Sequence, residues 1–263
     1  MNILQRIMAE RREAVAAARR DVPEERLRAE AGGRVHHSLA AALAPAGKTH
    51  IIAEMKQASP SAGRLRTAYD PAAIAAGYAA AGAAGLSVLT EPNHFLGGAE
   101  HLRAARAAAD LPILRKDFLC DPYQVLEAAA WGADVVLLIV AVLDDAQMRD
   151  LYDAAVAEGL EVLAEAHTAA ELERALALES AILGVNSRNL KTLETDLDVA
   201  AALSACLPPG RLAIAESGIR NRSDITRLEA LGYRGFLVGE TLMRGASPAE
   251  ELRRLRGGKP ARG

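Results

Sequence analysis

The stretch IIAEMK, residues 51–56, is an apolar strand that ends in an acid and a base. Later strand-like runs end in similar chemical groups, at Lys116, Glu165, Asn186 and Glu216. Packing does not explain these ends, because the interior of a barrel strand is apolar and its carboxyl end opens into solvent-filled loops. The pattern therefore indicates a parallel barrel with a functional site at the carboxyl ends of its strands.

Strand-like and helix-like stretches alternate from Thr49 onward, which is typical of repeated parallel βαβ units. Helical periodicity is clear over residues 71–84, 122–131, 146–158 and 169–178. Since no GxGxxG fingerprint follows the first strand, we expect an α/β fold, a closed (βα)8 TIM barrel, rather than an open doubly wound sheet. The eight predicted strands centre on residues 50–55, 86–90, 113–115, 135–139, 161–165, 181–185, 212–215 and 235–238.

A helical extension, residues 1–48, precedes the first strand. Helices are predicted within it at residues 3–19, 24–31 and 37–43. No linker rich in Pro, Gly or Ser separates the extension from the barrel, residues 49–263, so we expect the two to pack as a single domain. One interpretation of the extension is a helical plug that shields one end of the barrel.

The composition limits the kinds of binding partner and the cellular compartment that we expect for this protein. The formal net charge is −3, from 31 basic and 34 acidic residues, which gives no electrostatic footprint for nucleic acid. No apolar run is long enough for a secretion signal or a membrane span, so we expect a cytoplasmic protein without a membrane partner. Two isolated cysteines, Cys120 and Cys206, and six histidines without HExxH spacing predict no metal site.

Strand alternation selects the side chains that face the barrel mouth. Glu54 and Lys56 are two positions apart and share a face, as a proton-transfer pair or as a simple ion pair. The same alternation turns Arg115 and Asp117 away and leaves Lys116 alone on the inner face. A buried lysine near other cations would have a lowered pKa and act as a general acid at neutral pH. A salt bridge to a carboxylate is the alternative.

Groups suited to binding anions follow the later strands. Glu165 ends the fifth strand, and Asn186 and Arg188 follow the sixth, one strand period apart. A guanidinium suits a bidentate grip on a carboxylate or a phosphate. Glycine-containing turns at residues 217–218 and at Gly239 follow strands seven and eight, where backbone amides commonly hold phosphate in this fold.

In their order along the chain, these segments resemble indole-3-glycerol-phosphate synthase, the ring-closing enzyme of tryptophan biosynthesis. The resemblance covers nearly the whole chain and includes EMKQASPSAG, SVLTEPNHFLGG, LRKDF, AEAH, GVNSRNL, AESGI and LVGETLM. It implies a metal-free, cofactor-free carboxy-lyase that acts on 1-(o-carboxyphenylamino)-1-deoxyribulose 5-phosphate. We expect a monomer that binds this small phosphosugar, with other tryptophan-pathway enzymes as candidate partners.

The resemblance also implies roles for individual residues. Lys116 would be the general acid, Glu165 the acid/base of dehydration and Glu54 an aid to proton transfer. Lys56 would anchor an anionic group, while Asn186 and Arg188 would orient the substrate. The implied substrate-binding residues are Ser59, Phe95, Phe118, Leu137, Leu190, Glu216, Ser217, Gly218 and Gly239.

Three positions depart from the commoner pattern of the family. Gln57 and Ala62 stand where relatives often have basic residues, and Glu240 stands where many have Ser. Because a carboxylate repels phosphate, we expect the Glu240 side chain to point outward. Two alternative functions stay open: another phosphosugar barrel enzyme, such as phosphoribosylanthranilate isomerase or the tryptophan synthase alpha subunit, and an inactive barrel used for binding.

Overall fold

Eight parallel strands close into a barrel in chain order, with the last strand hydrogen-bonded to the first. The structure, a computed structural model, describes residues 3–258. The predicted (βα)8 barrel is confirmed, and each predicted strand agrees with the observed one to within a residue at either end. The barrel strands are β1 (His50–Met55), β2 (Gly85–Leu89), β3 (Ile113–Lys116), β4 (Val135–Ile139), β5 (Glu161–Ala166), β6 (Ile182–Asn186), β7 (Ala213–Glu216) and β8 (Gly235–Val238). A two-stranded antiparallel sheet, Ala58–Ser59 with Gly63–Arg64, lies in the loop after β1.

Helices surround the barrel and precede it. Most begin at a side chain that accepts an amide hydrogen bond, as Asp70, Asp121 and Thr168 do. The helix predicted at 71–84 ends early, because Gly82 adopts a left-handed conformation (φ 81°) that stops it. Within residues 3–258 the helices are α1 (Ile3–Asp21), α2 (Glu24–Ala31), α3 (Leu39–Leu43), α4 (Pro71–Ala80), α5 (Ala99–Ala108), α6 (Pro122–Trp131), α7 (Asp145–Ala157), α8 (Ala169–Ala175), α9 (Asp198–Leu203), α10 (Arg222–Ala230), α11 (Glu240–Arg244) and α12 (Pro248–Leu255).

The amino-terminal end of the barrel is filled by α3. Leu39 and Leu43 are buried in the same apolar cluster as the inward side chains of the strands. Glycines at the starts of two strands make room for them: a Cβ on Gly85 would lie 3.0 Å from Leu39, and one on Gly235 would lie 3.1 Å from Leu43. This helix therefore plugs the barrel, whereas the boundary drawn at residue 48 stays a prediction.

The long helix α1 lies against the outside of the barrel and reaches toward its carboxyl-terminal end. Arg11 forms a buried ion pair of 3.0 Å with Asp117, which follows β3. Glu10 lies 2.8 Å from Nε2 of His94, in the loop after β2. Two strand-end loops are thereby attached to the extension. None of the helices in residues 3–258 combines the length and the apolarity that a membrane span requires.

Candidate active site

A cavity of about 740 Å³ opens at the carboxyl ends of the strands. Ser59 does not line it, because its hydroxyl accepts the Ala62 amide (3.2 Å) within the β1–α4 loop, where Ser61 contributes to the wall instead. The other predicted site residues lie together. They are Glu54, Lys56, Phe95, Lys116, Phe118, Leu137, Glu165, Asn186, Arg188, Leu190, Glu216, Ser217, Gly218 and Gly239.

Lys116 occupies the centre of the cavity among carboxylates. Its Nζ donates to Oε2 of Glu165 at 2.9 Å and lies 3.9 Å from Oε2 of Glu216. Burial favours a lower pKa for Lys116, but the negative charges of Glu165, Glu216 and Glu54 outweigh burial and raise the pKa overall. The expectation that neighbouring cations lower this pKa is therefore wrong. The lysine is therefore charged at neutral pH.

Glu165 and Glu216 have opposite protonation preferences. Burial favours the neutral form of both, yet the charge of Lys116 and hydrogen bonds from Lys116 and Asn186 lower the pKa of Glu165. For Glu216, burial and the adjacent Glu165 charge raise the pKa well above its ordinary value, despite an opposing effect of Lys116. Of the two carboxyl groups, Glu216 is therefore the one that binds a proton more tightly. Gly184 makes room for this arrangement, since a Cβ there would lie 2.3 Å from Oε1 of Glu216.

The ends of β1 and β8 meet at a second charged pair. Glu54 and Lys56 share the inner face, as strand alternation predicts, with Nζ and Oε1 2.5 Å apart. Gly239 follows β8, and a Cβ at this position would lie 2.1 Å from Oε1 of Glu54. Glycine is therefore required here for the Glu54 carboxylate to occupy its position.

Arg188 connects three loops at the rim of the cavity. Its Nη1 donates to the hydroxyl of Ser61 (2.9 Å) and to the carbonyl of Leu193 (3.0 Å). Its backbone amide donates to Oδ1 of Asn186 (3.0 Å), and its Nη2 donates to Oε2 of Glu240 (3.4 Å). These contacts hold a guanidinium at the cavity entrance, where it can meet an anion.

The prediction that Glu240 points outward is wrong. Its side chain lines the cavity, 3.4 Å from Arg188 and 2.9 Å from Nε of Arg244 one helical turn later. Burial raises the pKa of Glu240, but Arg244, Arg188 and Lys56 together lower it, so the side chain is a carboxylate at neutral pH. The positive charges of these three side chains offset the repulsion between a carboxylate and phosphate on which the prediction was based.

Two turns bring the backbone to the cavity after β7 and β8. Ser217 has a left-handed backbone conformation (φ 66°), which is uncommon for a residue with a Cβ, and Gly218 follows with φ 81°. A Cβ on Gly218 would lie 2.9 Å from Thr195. Together with Gly239 these residues line one side of the cavity, as expected for an anion held by backbone groups.

An apolar wall faces the charged side. The rings of Phe95 and Phe118 lie 6.1 Å apart at 41°, and Leu137 and Leu190 extend the surface between them. Phe95 is held by Glu91, whose fully buried carboxylate accepts the amides of residues 93, 94 and 95 at 2.7–3.0 Å. A flat aromatic substrate fits such a wall.

A buried network outside the barrel orients Lys116. Oδ2 of Asp117 accepts from Thr90 (2.7 Å), Arg11 (3.0 Å) and Arg115 (3.0 Å). Because these contacts fix both neighbours of Lys116, its side chain is directed inward. Ser61, Glu91 and Arg11 were missed from the sequence. The segments SPSAG and LTEPNHF contain two of them, but nothing in the sequence links Arg11 to Asp117.

A possible ligand set for a cation also lies beside the cavity. Among residues 3–258, ligand atoms of Glu10, Glu91 and His94 lie within 4.8 Å of one another. Glu91 already accepts three amides, and Glu10 pairs with His94 and Arg6, so the geometry suits an attachment of α1 to the loop. The absence of a metal and of a cofactor from the active enzyme stays a prediction.

A family model described as indole-3-glycerol phosphate synthase matches residues 4–255. The chain belongs to the indole-3-glycerol phosphate synthase family. A relative of that name from Burkholderia ambifaria (strain MC40-6) is 48% identical over 257 residues, which cover 97% of this chain and 98% of the relative. The relative from Burkholderia cenocepacia (strain HI2424) gives the same values. As a member of this family of lyases, the chain is an enzyme of tryptophan biosynthesis.

Solved structures with a similar fold are more distant in sequence. The 3-hexulose-6-phosphate synthase of Salmonella typhimurium has a TM-score of 0.63 at 14% identity, covering 80% of this chain and 97% of that one. The N-acetylmannosamine-6-phosphate 2-epimerase of Clostridium perfringens has a TM-score of 0.62 at 15% identity, covering 80% and 93%. At these identities the likeness concerns the barrel fold alone.

Proposed function

We propose that this protein converts 1-(o-carboxyphenylamino)-1-deoxyribulose 5-phosphate to indole-3-glycerol phosphate, carbon dioxide and water, with Lys116 as the proton donor. The main support is the charged Lys116 ammonium, 2.9 Å from Glu165, in a cavity with an aromatic wall on one side and cationic groups and backbone turns on the other. That combination matches a substrate with an aryl carboxylate at one end and a phosphate at the other.

Ring closure needs an acid at the ketone. The aryl carbon that bears the carboxylate attacks the ketone carbon, and Nζ of Lys116 gives its proton to the ketone oxygen. The C–CO₂ bond then breaks, and its electron pair restores the aromatic ring. Because carboxylates raise the pKa of Lys116, the donor form is the populated one before reaction.

Dehydration needs a second acid and a base. The new hydroxyl takes a second proton and leaves as water, while the carbon next to nitrogen loses a proton and the indole double bond forms. We assign this acid/base work to Glu165, with Glu54 assisting. In total the oxygen takes two protons and the carbon returns one, so each turnover takes one proton from solvent.

Binding is divided between the two sides of the cavity. We assign the phosphate to the turns at Ser217, Gly218 and Gly239, where backbone groups meet the cavity. Lys56 and Arg188 serve as cations for the anionic ends, and Asn186 orients the substrate. Neutral Glu216 donates a hydrogen bond to the substrate or to Glu165. The aryl ring packs on Phe95, Phe118, Leu137 and Leu190.

An assay of the purified protein tests the reaction. Incubation with the carboxyphenylamino substrate should give indole-3-glycerol phosphate and carbon dioxide in equal amounts. Phosphoribosylanthranilate is the control substrate and should be unchanged. If the protein isomerises the control substrate, it is the rival phosphosugar enzyme; if it acts on neither, it is an inactive barrel.

We further propose that the protein works in the cytoplasm as a monomer, without nucleic-acid or membrane partners. The net charge of −3 supports the first exclusion, and a phosphorylated substrate is made and kept inside cells. Sedimentation velocity at assay concentrations tests the monomer. A stable dimer would contradict it, and association with other tryptophan-pathway enzymes would appear as co-sedimentation when they are added.

A further inference from the structure

A histidine lies directly behind Glu165 and outside the cavity wall. Nε2 of His167 is 3.4 Å from Oε1 of Glu165, while Nδ1 of His167 is 3.3 Å from Oε2 of Glu171. Oε2 of Glu165 faces the other way, toward Lys116 at 2.9 Å. The two oxygens of the same carboxylate therefore face different groups, one in the cavity and one behind it.

The contacts of the imidazole leave one nitrogen for Glu165. Nε2 of His167 is buried and has no hydrogen-bond partner among residues 3–258, and the facing Glu165 oxygen is the group within reach. The backbone amide of His167 donates to Oε2 of Glu171 at 2.7 Å, which holds this second carboxylate beside the ring.

Exposure to solvent rises along this row of groups. The side chain of Glu165 is 1% exposed, that of His167 is 12% exposed and that of Glu171 is 20% exposed. Glu171 lies in the first turn of α8, where its amide donates to Thr168 (3.2 Å). The row therefore leads from the buried carboxylate to the protein surface without crossing the cavity.

The proposed reaction creates a need for such a path. Each turnover takes one proton from solvent, as its atom balance requires. A bound substrate covers the cavity side of Lys116 and Glu165, whereas the His167 side of Glu165 stays free. Neutral imidazole accepts a proton on one nitrogen and donates from the other, which suits it to carry a proton between two carboxylates.

We propose that His167 relays protons between the surface carboxylate Glu171 and the buried carboxylate Glu165. The inference rests on the proposed function. A proton from solvent binds Glu171 and passes to Nδ1 of His167 as the Nε2 proton passes to Oε1 of Glu165. Each O–H or N–H bond that breaks is matched by one that forms. The starting tautomer returns when Nε2 gains a proton from solvent and Nδ1 releases its proton to Glu171. His167 is a positioning and relay residue that acts through Glu165 and does not touch the substrate.

Chemical rescue in the full-length enzyme tests the relay. His167→Ala should lower kcat about tenfold and leave KM within about twofold, because proton supply and not binding is impaired. Added imidazole, at constant ionic strength, should enter the space left by the side chain and restore kcat in a saturable way. His36→Ala, the same change in the extension, is the matched control and should neither lose activity nor respond to imidazole.

A second variant covers a failure of the first to fold. His167→Gln retains a polar side chain beside Glu171 but carries no proton at a useful rate, so kcat should fall without rescue. Wild-type kcat in His167→Gln, or a loss in His167→Ala that imidazole does not restore, overturns the relay. Because all values are compared with wild-type turnover, failure of the proposed function is separate: the wild type would then make no indole-3-glycerol phosphate.

Discussion

The two ends of the barrel are built from the same strands but differ in what their side chains do. At the amino-terminal end, Leu39 and Leu43 of α3 fill the opening with apolar side chains and exclude water. At the carboxyl-terminal end, Lys116, Glu165 and Glu216 are gathered in a cavity in which two carboxylates compete for one proton. One end stabilises the fold, and the other keeps charges buried that stability alone would not favour.

This difference predicts that stability and activity can be changed separately. A substitution at the plug should weaken folding and spare catalysis, because the plug contacts none of the reacting groups. A substitution in the cavity should abolish catalysis at a smaller cost in folding, because some of its charges are held at the expense of stability.

Removal of the proposed acid should have the largest effect. Lys116→Met keeps an unbranched side chain, one atom shorter, but has no proton to donate, and we expect kcat to fall about 10³-fold. Far-UV circular dichroism should be unchanged, because Met fills most of the same space. The matched control is Lys48→Met, an exposed lysine at the other end of the barrel, which should keep wild-type turnover. If Lys116→Met retains near-normal turnover, the donor must be a different group.

Truncation of the plug should affect folding and leave turnover intact. Leu43 is fully buried, so Leu43→Ala removes apolar contacts and leaves a cavity that costs about 3 kcal/mol in the free energy of unfolding. Urea denaturation measures that loss, and steady-state assays at a temperature where the variant stays folded should give wild-type kcat and KM. A tenfold loss of kcat in the folded variant would mean that the two ends are coupled.

The end that carries the chemistry was largely predictable from local patterns. Alternation along β1 and β3 put Glu54, Lys56 and Lys116 on the inner face, and the structure agrees. This succeeds because an acid or base at the end of an apolar strand has few explanations other than function. The plug was only one interpretation of the extension, since a short run of Leu and Ala is equally compatible with an outer helix.

Errors in the sequence-based predictions arose where distant residues decide the outcome. Lys116 is next to Arg115 in sequence, yet the charges that face it come from other strands and are negative. Ser59 lies beyond β1 in a short antiparallel hairpin, opposite Gly63, so the alternation of β1 does not extend to it, and its hydroxyl points into its own loop. Glu240 was expected to point outward because a carboxylate repels phosphate. Its position depends also on Arg188, which only the fold brings close to Glu240.

The free energy of unfolding should depend on pH because Glu216 binds a proton more tightly in the folded protein. Its raised pKa means that the folded protein binds this proton more tightly than the unfolded chain, whose Glu216 ionises near its ordinary value of 4.5. This contribution is complete below pH 4.5 and declines as pH rises toward the folded pKa. Glu216→Gln mimics the neutral acid and cannot ionise, so its stability relative to wild type should increase as pH rises above 4.5, by at most about 1.4 kcal/mol for each pH unit, and level off once pH passes the folded pKa of Glu216.

Denaturant titrations of wild type and Glu216→Gln at pH 5, 6.5 and 8 measure this difference. Glu229→Gln, a carboxylate paired with Arg222 away from the cavity, is the control, and its stability difference from wild type should not grow across the same range. A Glu216→Gln difference that stays constant with pH would mean that Glu216 is ionised in the folded protein. The two buried carboxylates would then not share a single proton.

The smallest effect on activity is expected at the rim of the cavity, where Glu240 forms an ion pair with Arg188 in the absence of substrate. The Arg188–Glu240 contact is 3.4 Å long and its side chains are 22% and 36% exposed to solvent, so the ion pair is worth less than about 1 kcal/mol. Glu240→Gln should release the guanidinium for the substrate anion and lower KM about twofold at low salt, with kcat unchanged. Because Glu240 and the substrate anion compete for Arg188 through their charges, salt should weaken this competition. The lower KM of the variant should therefore return to the wild-type value near 0.5 M salt, where the screening length is about a few ångströms. Glu250→Gln, a carboxylate on α12 that pairs with Arg253, is the control. An unchanged or higher KM in Glu240→Gln would mean that the carboxylate positions Arg188 for binding and does not compete with the substrate.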